Sequence, residues 1–283
     1  MFAIIGLAVV LVSMLGGFLM AGGNIITLIQ PSEFIVIGGV AAGSLIAANP
    51  LAYIKSIFAS FGTVLKGVSV KKQDYLDLMK MLYELFQYAK REGLIALEPH
   101  VENPSSSSII SKYPSFLSNH HATEFLCDTM KVILSGGIPA HDLEELMDID
   151  IEGIHEEEHN VVHSIVTMGD ALPGIGIVAA VLGIIITMGS INEGAEAVGH
   201  HVAAALVGTF LGVLLSYGFV QPIARNLDLT NNLNAKYMAA LKSALLSFAK
   251  GAPASVAVEF CRRAIDPGNR PTFAESETAI KGG

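Results

Sequence analysis

Three stretches of this sequence carry residue types at spacings that chemistry uses. His155-Glu156-Glu157-Glu158-His159 matches H-E-x-x-H. On a helix that spacing sets two imidazoles on one face, with a carboxylate to activate a zinc-bound water. His163 continues the stripe. No third-ligand motif follows, and the intervening positions are carboxylates where a zinc-protease helix is half buried. The run reads as a solvated acidic helix face, with no catalytic residue and no resident metal. Gly174-Ile-Gly176-Ile-Val-Ala179 matches a loose G-x-G-x-x-A. A dinucleotide site needs that pattern between a strand and a soluble helix. Here it lies in a long apolar run, where small residues serve close helix packing instead. Gly39/Gly43 and Gly208/Gly212 are G-x-x-x-G pairs, and with Gly183 they point to a tightly packed oligomer or complex.

The elements around these residues are membrane spans. Four apolar runs, at 2–20, 34–51, 171–188 and 202–220, approach or reach the length a spanning helix needs. Mean hydropathy is +0.54 and charged residues make up 15%, against roughly 25% in a soluble domain. All 17 Lys and Arg fall in 55–131 or 225–281, and none in 1–54 or 132–224. That is the positive-inside pattern, repeated. It places residues 21–33 and 189–201 outside and both termini in the cytoplasm. The first run has no basic n-region, so it reads as a retained helix and not a cleaved signal. A net charge of −9 gives no reason to propose nucleic acid as a partner. Cys127 and Cys261 fall in cytoplasmic segments and read as reduced thiols.

The fold class that follows is an all-α integral membrane protein. Residues 1–51 form one transmembrane hairpin and 170–221 a second. Residues 52–169 form a large helical cytoplasmic insert, and 222–283 a helical cytoplasmic tail. Within the insert, 73–92 is strongly amphipathic, 102–108 is a turn and 121–134 is a second helix ended by Gly136-Gly137. A third helix starts at 142, with Asp142 as its N-cap, and runs on towards the third span. Helices are expected at 229–250 and 254–265, and a frayed polar tail from 267.

The spans lack ionisable groups in their middles, whereas ion relays need one at membrane depth. Glu33 and Asp170 sit only at span ends, and the remaining polar residues are Thr187, Thr209, Ser216 and Tyr217. Thr209 and Tyr217, two helical turns apart, are expected to share a face. An ion path through this chain therefore needs a partner to supply the carboxylate. Pro173, just inside the third span, is expected to kink or interrupt it, and Pro222 stands just past the fourth. The two make either a hinge pair or ordinary helix ends. Lys90-Arg91-Glu92 and Glu98 flank Gly93. Charges of both signs suit a transient electrostatic contact, or else a solvated helix end.

These residues resemble the MotA family of bacterial flagellar motor stator proteins, within the wider MotA/TolQ/ExbB superfamily. The matching blocks are Gly22-Gly23 through Gln30-Pro31-Ser32-Glu33, Glu102-Asn103-Pro104 with Tyr113-Pro114, and Gly169-Asp170-Ala171-Leu172-Pro173 running into GIGIVAAVLG. They continue with VGTFLGVLLSYGF before Pro222, then AVEF at 257–260 and Arg270-Pro271-Thr272-Phe273. The resemblance implies a ring of five copies around a one-span, MotB-like, peptidoglycan-anchored partner that carries the membrane aspartate. It implies a bacterial inner-membrane location, and torque delivered to the rotor protein FliG. Residue by residue, it implies Ala180, Thr209 and Tyr217 on the ion path and Pro173 and Pro222 as the coupling hinge. Lys90, Arg91 and Glu98 become the rotor contact. Sodium-using members carry Thr where this chain has Ala180, so the coupling ion is read as H⁺ and not Na⁺. No other cofactor is implied, and the chain is not read as an enzyme. The competing readings are an ExbB- or TolQ-like energy-transducing unit, whose relatives have three spans, and a membrane zinc protease.

Overall fold

The computed structural model describes residues 2–67 and 70–281. Every regular element among them is helical. In chain order they are α1 (Phe2–Met20), α2 (Pro31–Ala48), α3 (Leu51–Lys66), α4 (Lys72–Glu92), α5 (Glu98–Glu102) and α6 (Pro114–Leu117). Then come α7 (His120–Ser135), α8 (Ala140–Gly189), α9 (Ala195–Val213), α10 (Gln221–Ala249), α11 (Ala254–Ala264) and α12 (Phe273–Lys281). A π-helical segment, Leu214–Val220, joins α9 to α10. Among the described residues, four stretches are long and apolar enough to cross a membrane: Phe2–Met20, Ile25–Ala48, Ala140–Gly189 and Ala195–Ala249. The second expected span shifts from 34–51 to Pro31–Ala48. Pro31 occupies the first helical turn, where its missing N–H costs nothing, and Asn49 is extended because Pro50 follows it.

The chain divides into two compact units, residues 1–68 with 158–229, and 69–157 with 230–283. In the first, Ile37 and Ala41 of α2 pack with Leu172, Ile175 and Ala179 of α8 and Val207 and Leu211 of α9. A second cluster joins Leu45, Ile57, Val64, Val161, Val162, Ile165, Ala224 and Leu227. Through Ile57 and Val64, helix α3 belongs to this unit, although its residues lie within the 52–169 segment read as a single insert.

The other unit is built on α4. Its buried face runs from Tyr75 through Leu78, Met79, Leu82, Leu85 and Phe86 to Ala89, the helical spacing expected of it. Phe86 stacks on Phe248 at 4.2 Å between ring centroids. Leu126 and Met130 of α7, Leu241 and Leu245 of α10 and Val258 of α11 complete one contiguous core.

Several boundaries differ from the sequence expectation. α8 begins at Ala140, so Asp142 lies in its first turn and not at the cap, where its charge still meets the helix dipole favourably. Pro173 sits inside α8 without interrupting it. Pro222 sits inside α10, so it does not end a helix. The tail expected to fray forms α12. The Thr272 hydroxyl accepts from the Glu275 N–H at 3.2 Å, and the Glu275 carboxylate accepts from the Thr272 N–H at 2.7 Å, a reciprocal cap. Lys72 then pairs with Glu275 at 2.7 Å.

Candidate functional site

The first site lies where α8 and α9 cross. Glycines set the approach of the two backbones. A Cβ added at Gly176 would lie 2.8 Å from the Gly208 carbonyl oxygen, and one at Gly212 2.6 Å from that of Leu172. Gly183 meets Ala205 in the same way, at 2.8 Å. The Gly208/Gly212 pair is therefore used within the chain. Gly39 and Gly43 have nothing within 4 Å of an added Cβ, so that seam is open.

Ala180 is buried in this crossing, at 9% exposure. Its backbone nitrogen lies 3.3 Å from where a Cβ at Gly208 would stand, which brings Ala180 beside the Gly208–Thr209 step. Thr209 is half-buried. Tyr217 stands apart on the π-helical segment, 66% exposed. Helix closure through i→i+5 bonds changes the angular step along this turn. Tyr217 is accordingly reached through a different angular step from Thr209, and it is the more exposed of the two.

Pro173 is half-buried and Pro222 exposed. Each lacks the N–H that an interior helical position donates, a defect worth about 3 kcal/mol or more in an unadapted helix. Ahead of Pro222 the π-helical turn makes the adjustment, with the Gln221 N–H reaching the Ser216 carbonyl. The proline-bearing helices are tied beside these defects: the Gln221 side-chain amide donates to Asp170 Oδ1 at 2.6 Å. Nothing in the spacing of Asp170 and Gln221 signals that pair.

One feature of this unit has no sequence signal of its own, the burial of Glu33. That residue lies in the first turn of α2, at the span end as expected, and is 5% exposed. Its Oε2 has no hydrogen-bond partner among the described residues and lies 2.4 Å from where a Cβ at Gly208 would stand. For the residue itself, the position two residues beyond Pro31 is the only signal, since the first helical turn favours a carboxylate. Ser216 Oγ is likewise buried without a partner among the described residues.

The second site is the end of α4. Gly93, at φ +93°, takes a backbone form that side chains disfavour and turns the chain into a short 3₁₀ segment, Leu94–Leu97, and α5. Lys90 and Arg91 occupy the last turn of α4 and Glu98 the first turn of α5. All three are exposed. Arg91 pairs with its neighbour Glu92 at 2.9 Å. Lys90 and Glu98 have no ion pair among the described residues, in contrast to Glu84, which accepts from Lys112 at 2.7 Å and Tyr113 at 2.8 Å. Burial pulls the Glu84 carboxyl up, but those two hydrogen bonds outweigh it and hold it below the usual range. Lys90 also borders a cleft of about 360 Å³ lined by Phe86, Leu94, Ile133, Phe248 and Pro253.

The H-E-x-x-H stretch lies on α8, with His155, His159 and His163 all exposed. The rings of His159 and His163 stack at 6.4 Å. Among the described residues no group of three or more His, Cys, Asp or Glu is arranged to hold a metal ion. Cys127 and Cys261 are unpaired and buried. Burial pushes both thiols up, to about 11 and about 12, out of the range of reactive thiolates.

Comparison with known proteins identifies the family. Residues 4–93 match the family described as motility protein A N-terminal, and residues 118–242 the MotA/TolQ/ExbB proton channel family. The chain is 37% identical over 282 residues to motility protein A of Escherichia coli K12, covering 99% of this chain and 95% of that one. It is 34% identical to the chemotaxis protein LafT of Vibrio parahaemolyticus, covering 96% of each. The fold is shared with the C. jejuni MotAB structure, with TM-score 0.78, 22% identity and 96% of this chain and 98% of that chain covered. It is shared also with the MotAB stator complex of Bacillus subtilis, with TM-score 0.73, 22% identity and coverage of 91% and 92%.

Proposed function

Since this chain belongs to the motility protein A family, we propose that it is the ring-forming subunit of a flagellar stator, which with a MotB-like one-span partner makes a proton channel that drives rotation. The observation that carries this is the 37% identity to a motility protein A along 99% of the chain. The match of residues 4–93 to the motility protein A N-terminal family favours the stator over an ExbB- or TolQ-like unit. The chain is a multi-pass membrane protein. Its charge distribution supports a bacterial inner-membrane location with both termini cytoplasmic and residues 70–157 on that side.

Five copies around the partner give each α8–α9 crossing a place on the ion path, with Ala180, Thr209 and Tyr217 facing it. The alanine at 180 lacks a hydroxyl to hold a dehydrated Na⁺, which favours H⁺. Passage of the ion is converted to motion at Pro173 and Pro222. A proline inside an unbroken helix leaves a carbonyl without its intrahelical donor and a place for the helix to bend, and the Asp170–Gln221 hydrogen bond couples one bend to the other. Lys90, Arg91 and Glu98 meet the rotor protein FliG.

The test is a gentle-detergent pull-down of the tagged chain, with native mass, together with rescue of swimming in a strain lacking its own motility protein A. A one-span partner with a membrane aspartate, in fewer copies than this chain, and restored swimming are expected. A lone chain without rescue overturns the reading. Pro173→Ala is expected to leave the chain in the membrane, at normal amount and with its partner, and to abolish swimming. Normal swimming removes the hinge.

A further inference from the structure

We propose that Glu33 is a proton-binding site supplied by this chain itself, standing on the ion path beside Ala180 and Gly208. This rests on the reading that Ala180 and Thr209 line that path. Three observations lead to it. Glu33 is buried in a membrane-spanning stretch, and its Oε2 has no partner among the described residues. An ionised carboxylate held that way is strongly disfavoured, and a proton completes it. Next, room for the carboxylate is built in: Oε2 occupies the place where any side chain at 208 would begin, 2.4 Å from an added Cβ, with the Ala179 methyl and the Ala180 nitrogen on the same spot.

Finally, the preceding loop is a polar, hydrogen-bonded segment that ends at the backbone N–H of Glu33. The Thr27 hydroxyl donates to the Asn24 carbonyl at 2.6 Å, the Gln30 amide to the Thr27 carbonyl at 3.2 Å, and the Glu33 N–H to the Gln30 carbonyl at 3.1 Å. α8 and α9 present Ala179, Ala180 and Gly208 to Glu33, none of them titratable. The nearest titratable side chains along those helices are Asp170 on α8 and His200 and His201 on α9.

The step is a proton relay. An O–H bond forms at the Glu33 carboxylate as a proton arrives from the outer side. It breaks as the proton passes inward through water to the partner's carboxylate, and Glu33 returns to its starting state. One proton moves and no other reagent is needed. The ring then carries one such group per subunit, which loads the path ahead of the partner's acid.

The experiment compares wild type, Glu33→Gln and Glu33→Asp as the assembled complex with the one-span partner. The readouts are native mass, proton flux into vesicles under an imposed pH gradient, tethered-cell speed, and the pH-difference infrared spectrum. Glu33→Gln preserves shape and removes the proton site. It is expected to assemble, to lose flux and speed by about tenfold or more, as removal of a proton-transfer group does, and to lose one protonated-carboxyl band. Glu33→Asp is expected to keep the band and part of the flux. Gly208→Ala, which displaces the carboxylate, is expected to lower flux with Glu33 still present. Glu33→Gln with wild-type flux at every pH overturns the proposal while leaving the stator reading intact. If Glu33→Gln fails to assemble, Glu33→Asp decides: a changed dependence of flux on external pH upholds the site, and an unchanged one overturns it. A wild-type complex that neither conducts nor restores swimming overturns the stator reading itself.

Discussion

The two compact units are stabilised by different means. Around α4, apolar side chains are buried in one core, and charges are mostly matched at the surface: Lys112 with Glu84, Lys242 with Asp148, Arg262 and Arg263 with Glu259. That is the arrangement water selects. In the unit of α1, α2 and α9 many large apolar side chains point outward. No residue of α1 is buried, and Val12 and Ile35 are 70% and 73% exposed. Beside its smaller apolar clusters, what is buried at the α8–α9 crossing is small, Gly176, Ala179, Gly208 and Gly212, and the unit holds two buried polar atoms that have no partner among the described residues. In lipid there is no hydrophobic gain from burying a leucine, so close backbone packing holds helices together. The difference teaches where to look for chemistry. In the water-adapted unit, an unmatched charge at the surface marks a contact; in the lipid-adapted unit, an unmatched polar group in the interior does.

The largest expected effect breaks the comparison by truncating one large apolar side chain in each unit. Phe86→Ala removes a fully buried ring from the Phe248 stack and is expected to cost about 3–5 kcal/mol. Ile185→Ala, at a 62% exposed position in a span, is expected to change stability by less than about 0.5 kcal/mol. Denaturant unfolding of the purified chain in detergent checks both. Equal losses would mean that the exposed faces of the span are buried in the chain's own core.

Next comes the reverse substitution, adding a methyl where the lipid-adapted unit has none. Gly212→Ala puts a Cβ 2.6 Å from the Leu172 carbonyl, where only backbone can yield, and is expected to cost about 1–3 kcal/mol by overpacking. Gly39→Ala meets nothing in the chain. It is expected to leave the thermal midpoint of the isolated chain unchanged, and to lower the ring's native mass if that face is a seam between copies.

This glycine contrast also marks what could be read in the sequence. The four spans followed from apolar length and missing Lys and Arg, and α4 from its spacing, because each signal is local and summed over many residues. The G-x-x-x-G motif announced close approach but not the partner, since the same small residues serve contacts within a chain and between chains. Helix α3 escaped notice because Asn49-Pro50 ends one apolar run directly before another begins, so Ile57 and Val64 looked like the start of the insert. The π-helical turn at Leu214–Val220 has no marker before Pro222. Glu33 was visible, yet its depth was not, because burial of a first-turn residue depends on what α8 and α9 omit at Ala180 and Gly208. Pro173, Lys90 and Glu98 stand out by residue type and position, their roles are implied by family resemblance, and the structure adds the Asp170–Gln221 tie between the proline helices.

A smaller effect on stability separates contact charges from structural ones. Glu98→Lys and Lys90→Glu alter groups without an ion pair among the described residues, so unfolding is expected to shift by less than about 0.5 kcal/mol. Torque is expected to fall in each single variant and to recover partly when a charge on the rotor is reversed to match. An unchanged torque in the double variant removes this corner as the rotor contact. Glu84→Gln, by comparison, is expected to lower stability without being rescued by any rotor substitution.

The smallest effect is a pH dependence confined to the water-adapted unit. Hydrogen bonds from Arg262, opposed by some burial and helped by Arg263, hold the Glu259 carboxyl down at about 2 from an ordinary 4.5. Arg262 also donates to the Pro271 carbonyl at 3.1 Å and lies over the Phe273 ring at 6.0 Å, so this carboxylate steadies the approach to α12. A depressed folded-state pKa means that the unfolded chain binds the proton more readily, so stability falls as pH falls. The Glu259 contribution is expected to be complete above about pH 4.5 and to disappear as pH drops towards 2. The difference in thermal midpoint between wild type and Glu259→Gln is therefore expected to be constant near neutrality and to close across that window. A difference that persists at pH 2 would show that Glu259 acts by packing, and that charge matching contributes less to this unit than its surface suggests.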